Sequence, residues 1–208
     1  MSIMKKRIII SICISLSLII LMSAWGVSFS KANTNCIKIK EEFYKMGDMV
    51  SLDDNFMVDK KEQSQGYSMR INSVTLKDYR EIYKQYGLDV DEELYNSNTP
   101  QDVILVNFTI SNEGNKDGVL FIMTYSLSNG ALRIPVDYML FSAMDESYNG
   151  EYHLKILPNT SVDITIPFVP EPYALSIDKE DVYKKIKNES FFFTVCEYPV
   201  RKMIEVSV

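Results

Sequence analysis

A single histidine limits the chemistry that this chain could carry out. His153 is the only histidine among the 208 residues. A histidine-rich zinc site is therefore excluded, and any Ser–His or Cys–His mechanism would depend on this one residue. It lies in Glu151-Tyr152-His153-Leu154 with no catalytic motif around it, and the chain contains no G-x-S-x-G, Walker or G-x-G-x-x-G sequence. We interpret His153 as a structural or solvent-exposed residue, and we predict that the protein is not an enzyme and has no cofactor.

Acidic side chains are the other groups that could act chemically, because several of them occur close together. A glycosidase needs two carboxylates that face each other across a cleft, and calcium needs several oxygen ligands from loops. Asp89, Asp91 and Glu93 alternate as loop ligands could, but no EF-hand or repeated calcium motif is present. We expect solvated acidic turns and predict no metal site. The groups are Asp53/Asp54, Asp91/Glu92/Glu93, Asp145/Glu146 and Asp178/Asp181.

The first thirty or so residues have the layout of a secretory signal. Lys5, Lys6 and Arg7 precede an apolar stretch from Ile8 to Met22, an order that directs the following chain out of the cytoplasm. Small residues in Ser28-Phe29-Ser30 and Ser30-Lys31-Ala32 offer cleavage sites. Alternatively the apolar character, which continues to Val27, provides about twenty residues that span a bilayer without cleavage. Residues 1–32 are thus a signal peptide or a signal anchor, and the remainder is secreted or held at the extracellular face of the membrane.

The exported part is strongly acidic. The whole chain has a formal charge of −6, and residues 1–32 contain four basic residues (Lys5, Lys6, Arg7 and Lys31) and no acid, so the remainder carries −10. Such a surface repels nucleic acids and anionic lipid headgroups. We predict no nucleic-acid partner, and we expect membrane contact through the N-terminal segment if that segment is not cleaved.

Two cysteines remain after the targeting segment, near opposite ends of the exported chain. Export permits a disulfide between Cys36 and Cys196, which in a chain-entropy account would contribute about 4–5 kcal/mol because the loop is long. The alternative is that Cys196 is an apolar core residue and Cys36 a free thiol. Spacing alone leaves both open, and we keep Cys36–Cys196 as a candidate disulfide.

Period-two alternation predicts β-strands through most of the exported part. In Val103–Ser111 the residues Ile104, Val106, Phe108 and Ile110 share one face. Val119–Leu127 and 162–168 alternate in the same way, and Asn129-Gly130 is a strong type I′ hairpin signal. A change of parity around Asn72-Ser73 indicates a β-bulge. Many short strands separated by turns predict an all-β, Ig-like antiparallel β-sandwich over residues 47–208, which a short tether at residues 33–46 joins to the targeting segment.

One or two short helices are expected between the strands. Tyr79, Ile82, Tyr83 and Tyr86 fall on one helical face, with Thr75 or Asp78 as the N-cap. Asp178 is a plausible cap for a second helix. An aromatic stripe at this spacing is usually a core contact. Tyr79, Tyr83 and Tyr86 are nevertheless also our candidate interaction face.

Four segments resemble landmarks of secreted telokin-like, Ig-fold domains of Gram-positive bacteria. They are an entry strand at 45–50, a central strand at 103–112, a turn at 157–161 and a C-terminal strand at 197–205. Within that group the chain most resembles a family described only as a domain of unknown function, whose members carry a signal sequence. The resemblance covers residues 45–208. It implies a fold and an extracellular location, and it supplies no active site.

These observations favour a non-enzymatic extracellular module that binds a protein, a peptide or a cell-envelope component. A second hypothesis is a structural or accessory subunit that packs against a membrane complex through its helix face or an edge strand. A carboxylate-based hydrolase is the third, and it would need two acids converging in a cleft. The sequence identifies no particular partner.

Overall fold

The computed structural model describes residues 3–34, 39–90, 102–130, 132–145, 153–170, 184 and 186–207. The chain forms two compact units, Met1–Lys38 and Ile39–Val208. The first unit contains helix α1 (Ile3–Thr34), and within it Ile12–Ala32 is long and apolar enough to cross a membrane, as a signal sequence also is. Both predicted cleavage sites lie inside this helix. The helix is therefore compatible with a signal or a membrane anchor.

The second unit is a sandwich of two β-sheets. One sheet has the strand order β1-β9-β8-β5-β6, and the other has the order β2-β3-β4-β7. Neighbouring strands are antiparallel except for β1 and β9, which run parallel. The strands are β1 (Lys40–Lys45), β2 (Val50–Ser51), β3 (Tyr67–Asp78), β4 (Asp102–Asn112), β5 (Ser126–Asn129), β6 (Leu132–Pro135), β7 (Thr160–Phe168), β8 (Phe191–Cys196) and β9 (Val200–Val206).

The strand order is that of an immunoglobulin-like sandwich. If β3, β4 and β7 are taken as strands A, B and E, then β5, β6, β8 and β9 are strands C, C′, F and G, and the sheets read A-B-E and G-F-C-C′. The predicted all-β sandwich with short helices is confirmed. The parallel pair of β1 and β9 is the one departure from the antiparallel arrangement among the described strands.

Strand β4 supplies the centre of the core. Its inward residues Ile104, Val106, Phe108 and Ile110 are fully buried, as their alternation predicted. The Phe108 ring lies 5.6 Å from the ring of Phe193 in the opposite sheet, measured between centroids. The register of β3 against β4 shifts between Ile71 and Ser73, which confirms the predicted β-bulge.

Two short helices cover the outer face of the four-stranded sheet at one end. Helix α2 (Tyr79–Gln85) begins at the cap Asp78, whose side chain accepts a hydrogen bond from the Glu81 N–H at 3.0 Å. Helix α3 (Tyr138–Met144) has Asp137 as its cap, and the sequence pattern did not predict it. The second predicted helix, at Asp178, begins outside the described residues.

Three sequence predictions need correction. Residues 33–46 are not simply a tether, because Lys40–Lys45 pairs with β9 as a strand. Residues 119–127 are not a continuous strand, since Ile122–Thr124 forms a 3₁₀ turn before β5. The hairpin after β5 is present, but Asn129 pairs with Leu132 and so belongs to the strand. Its amide donates to Glu189 at 2.6 Å and to the Ser190 carbonyl at 3.2 Å, which holds it against the neighbouring segment.

Candidate functional site

The predicted tyrosine interaction face is part of a second, smaller core. Tyr79 and Tyr83 are buried with their ring centroids 3.9 Å apart, and Tyr86 packs beside them partly buried. The Tyr83 hydroxyl donates to the Asp137 carboxylate, and burial followed by this bond raises the pKa of Tyr83. The core interpretation of the stripe is confirmed. The interaction-face interpretation is wrong, because helices α2 and α3 pack these rings against outward residues of β4, including Val103.

Cys196 is a core residue with a free thiol. It is fully buried, and its thiol donates to the Val200 carbonyl at 3.5 Å. Burial raises the pKa of this thiol to about 11, so the thiol is neutral at ordinary pH and is not a nucleophile. Cys36, the candidate disulfide partner, lies outside the described residues.

The other residues considered for catalysis or metal binding do not form a site in the part of the chain that the structure describes. His153 is exposed and its ring lies 6.0 Å from that of Phe121. Asp53, Asp54, Asp89 and Asp145 are exposed, and no group of three potential metal ligands occurs among the described residues. The other candidates lie outside the described part of the chain: Asp91, Glu92, Glu93, Glu146, Asp178 and Asp181.

A buried lysine links strand β9 of one sheet to β2, an edge strand of the other. Lys202 of β9 is buried, and its Nζ donates to the Ser51 carbonyl at 2.7 Å and to the Asp53 carboxylate. The bond from Lys202, followed by one from Ser51, lowers the pKa of Asp53. Lys202 is thus neutralised and has a structural role. The sequence contained a signal for it, because Lys202 shares the parity of Ile204 and Val206 and a lysine on an inward face needs a partner.

An exposed aromatic side chain marks the outer face of the five-stranded sheet. Phe43 of β1 is 58% exposed, although it lies directly beside Met203 of β9, which is only 8% exposed. The ring of Phe43 meets the ring of Phe192 of β8 edge-on, with centroids 5.4 Å apart. We call Phe43, Phe192 and Met203 the Phe43 face.

Charged residues border the Phe43 face on two sides. On one side Arg201 donates to Glu197 at 2.7 Å and to Glu41 at 3.0 Å, and these carboxylates raise the pKa of its guanidinium. On the other side Lys45 and Glu205 are paired across β1 and β9. An apolar centre of Phe and Met inside a polar rim that includes Arg is typical of protein–protein interfaces.

Comparison with known proteins places the sandwich in a family. Residues 41–202 match the family described as "Domain of unknown function (DUF5028)". The chain belongs to this family. Searches among curated proteins and among solved structures gave no match.

The first and last residues of the DUF5028 region lie on neighbouring strands, β1 and β9. Glu41, its first residue, is paired with Arg201, and the preceding Lys40 is paired with Val200. The region contains Phe43, Phe192 and the buried Lys202, while helix α1 lies outside it. The family resemblance therefore covers the sandwich and not the apolar segment.

Proposed function

We propose that this DUF5028 protein is an exported, non-enzymatic module that binds another protein through the Phe43 face. The exposure of Phe43 above a nearly buried methionine supports this proposal best. Burial of an exposed aromatic ring under a partner is favourable, because it contributes about 25 cal/mol of binding free energy per Å² of apolar surface removed from water. The polar groups that border it give such a contact orientation and specificity.

The location of the module is also a proposal. We infer that Ile12–Ala32 stays attached and anchors the chain in the membrane with the sandwich outside. The basic residues that precede it favour this orientation. Its length and apolar composition are sufficient to span a bilayer. The alternative is a released domain.

We further propose that the sandwich is a telokin-like Ig domain from a Gram-positive bacterium. The resemblance of the segments 45–50 and 103–112 to such domains supports this, although 45–50 is the turn between β1 and β2 and not the predicted entry strand. The signal-like N-terminal segment also supports it. The accessory-subunit hypothesis loses one of its two suggested contacts, the helix face, because Tyr79 and Tyr83 are buried. A partner contact through the Phe43 face would remain compatible with it.

Site-specific photocrosslinking in the native cell tests the proposed face. A benzophenone amino acid replaces Phe43 in one strain and Thr75, an exposed residue of the other sheet, in a control strain. We expect a discrete crosslinked product at position 43 and none at position 75. The partner identified by the crosslink is then purified, and its affinity for this protein is measured directly.

The affinity measurement decides the outcome. Truncation of a hot-spot aromatic costs about 2 kcal/mol or more, so Phe43→Ala should weaken binding by about 30-fold, while Thr75→Ala should not. Phe43→Ala should retain the fold, because the ring is mostly exposed. Equal affinities of the two variants would refute the Phe43 face. A specific turnover of a glycan or peptide would refute the non-enzymatic proposal.

A further inference from the structure

Strand β1 forms an open edge of the five-stranded sheet. In the part of the chain that the structure describes, β9 is the only strand that pairs with β1. The other side of β1 therefore has no strand with which to exchange hydrogen bonds. An edge of this kind presents unpaired backbone N–H and C=O groups, to which a strand of another molecule can add. The exposed ring of Phe43 belongs to this strand.

The last residue of β1 shows which backbone groups face the open side. The Lys45 N–H donates to the Asp48 carboxylate at 2.8 Å, and the Lys45 carbonyl accepts from the Asp48 N–H at 3.0 Å. Both backbone groups of Lys45 are thus turned away from β9. Residues two apart in a strand present their backbone groups to the same side. Glu41 and Phe43 therefore face the open side, and the residue between them faces β9.

Asp48 also closes one end of the open edge. Because Asp48 occupies the open side at Lys45, an added strand can pair only along residues 40–44. In an antiparallel pair, the residues opposite Glu41 and Phe43 exchange both of their N–H···O bonds with them, which gives four backbone bonds. The side chains of those two added residues lie on the outer face of the sheet, where the ring of Phe43 lies.

The neighbours of β1 in β9 indicate which side chains an added strand should carry. Phe43 is paired with Met203 and Glu41 with Arg201. An apolar residue opposite Phe43 extends the apolar row and covers the ring, which is 58% exposed. A basic residue opposite Glu41 places a second cation beside a carboxylate that accepts from Arg201 at 3.0 Å and is still 43% exposed.

The charge around this edge favours a basic partner. The charged residues of β1 and β9, together with the acids bonded to them, are six acids and four bases. They are Glu41, Glu42, Asp48, Asp53, Glu197 and Glu205 against Lys40, Lys45, Arg201 and Lys202. The edge is thus acidic, as is the exported part as a whole, which carries −10. A basic segment is attracted to such a surface.

A second copy of the chain fits this edge poorly. Two copies that pair antiparallel along residues 40–44 place Glu42 of one copy directly opposite Glu42 of the other. Like charges in directly opposed positions are destabilising, and both copies carry the same excess of acid. The charge of the edge therefore favours a different protein as the occupant.

We propose that β1 binds an extended segment of another protein as an added antiparallel strand, with an apolar residue opposite Phe43 and a basic residue opposite Glu41. The backbone bonds supply affinity, and the two side-chain positions supply selectivity. This proposal rests on the proposed function of the Phe43 face, and it specifies how the partner binds there.

Hydrogen exchange of the full chain in detergent micelles, followed by NMR, tests the proposal. The probe is the capped peptide Thr-Ile-Thr-Arg-Thr, whose Ile and Arg lie opposite Phe43 and Glu41 in the antiparallel arrangement. Before the peptide is added, the amide of Glu42 should exchange slowly, and the amides of Glu41 and Phe43 should exchange quickly. We expect the peptide to slow exchange at 41 and 43 several-fold and to leave exchange at 42 unchanged.

Matched controls separate the backbone bonds from the side chains. A peptide that is N-methylated at Arg loses a bond to β1 and should bind at least about fivefold more weakly. N-methylation of the central Thr, whose N–H faces away from β1, should leave binding unchanged. Glu41→Pro removes an N–H on the open side without removing a bond to β9, so it should weaken binding more than Glu41→Gln does. Replacement of Arg by Glu in the peptide should also weaken binding.

Three outcomes would overturn the proposal. Slow exchange at Glu41 and Phe43 before the peptide is added would show that this edge is covered. Shifted resonances of Phe192 and Met203 without slower exchange at 41 and 43 would show binding through side chains alone. No response to the peptide would refute strand addition. If the crosslinked partner still binds in a Phe43-dependent manner, the proposed function stands without strand addition, and if it does not, both proposals fail.

Discussion

Gly118 is the residue at which one added methyl group should do most damage. It lies in the loop 113–119, where an ideal Cβ would stand 2.5 Å from the Gln63 carbonyl oxygen, 2.6 Å from Cε2 of Tyr67 and 2.7 Å from Nδ2 of Asn115. All three distances are shorter than real Cβ contacts. Gly118→Ala therefore requires the surroundings to move.

None of the three neighbours can move cheaply. The Gln63 oxygen belongs to the backbone and accepts from Asn115 at 2.5 Å. Tyr67 is fully buried, and its hydroxyl donates to the Gly118 carbonyl at 2.9 Å. The Asn115 side chain also accepts from the N–H groups of Asp117 and Gly118. Whichever group shifts, a hydrogen bond is disturbed, and the one from Tyr67 to the Gly118 carbonyl is buried.

The cost of Gly118→Ala follows from these contacts. Overpacking costs about 1–3 kcal/mol, and a lost hydrogen bond adds about 1 kcal/mol. The reduced entropy of the unfolded chain returns about 0.4–1 kcal/mol. We expect a loss of about 2–3 kcal/mol in the free energy of unfolding, or about 4–12 °C in the melting temperature for a domain of this size.

Urea unfolding of the full chain in detergent micelles measures this loss. Near-UV circular dichroism reports on the buried rings of Tyr67 and Tyr125. Tyr67→Leu in the Gly118→Ala background removes the ring clash but not the carbonyl clash, so it should leave most of the loss in place. A change below about 0.5 kcal/mol for Gly118→Ala, the range of ordinary surface substitutions, would refute this account of the loop.

Three further predictions concern polar groups of the sandwich. Tyr83→Phe removes the bond to Asp137 and should lower the free energy of unfolding by about 1–2 kcal/mol. Asp137→Ala should lower it further in the same urea experiment, because Asp137 also accepts from the Leu140 N–H. The Cys196 thiol should react with a thiol reagent only after unfolding. Burial raises the pKa of this thiol from 9.0 to about 11, so the contribution of the neutral thiol to stability is present below pH 9 and is lost as the pH rises through 11. The free energy of unfolding should fall by about 2–3 kcal/mol over this range. Cys196→Ala should remove this alkaline loss, and an unchanged pH profile would contradict the assignment. Lys202→Met should raise the pKa of Asp53 towards 3.8, measured by carboxyl NMR titration. In the wild type the contribution of Asp53 is present above pH 3.8 and lost as the pH falls through its lowered pKa, and an unshifted Asp53 titration would show that Lys202 does not bond to it.

Patterns that depend on neighbouring residues could be predicted well. The β4 alternation, the bulge near Asn72 and the cap at Asp78 each rest on local geometry, and all are present in the structure. The 3₁₀ turn at Ile122–Thr124 was not predicted, because its apolar residues alternate as a strand would. Whether the residues of this segment are buried depends on which other elements pack against it, and not on the alternation of apolar residues in the segment itself.

The candidate site could not be predicted in the same way. Phe43 lies in a segment that reads as polar and charged, so nothing local marks it as a strand residue. Its exposure becomes informative only when β1 pairs with β9 and brings Phe43 beside Met203 and Phe192. Tyr79 and Tyr83 illustrate the converse, since an amphipathic stripe shows that a face is apolar but not whether the protein itself covers it.

The sequence by itself determined the apolar N-terminal segment, the β-rich sandwich class, the acidic charge and the lack of any catalytic motif, because each depends on composition or on short-range periodicity. The tertiary structure alone decided which strands neighbour one another and that Lys202 is neutralised by Asp53. It also decided that the tyrosine stripe is buried and that Phe43 is exposed. These are contacts between residues far apart in the chain, such as the 151 positions between Ser51 and Lys202. Periodicity assigns a residue to a face, and only the packing of that face against another decides whether water or a partner can reach it.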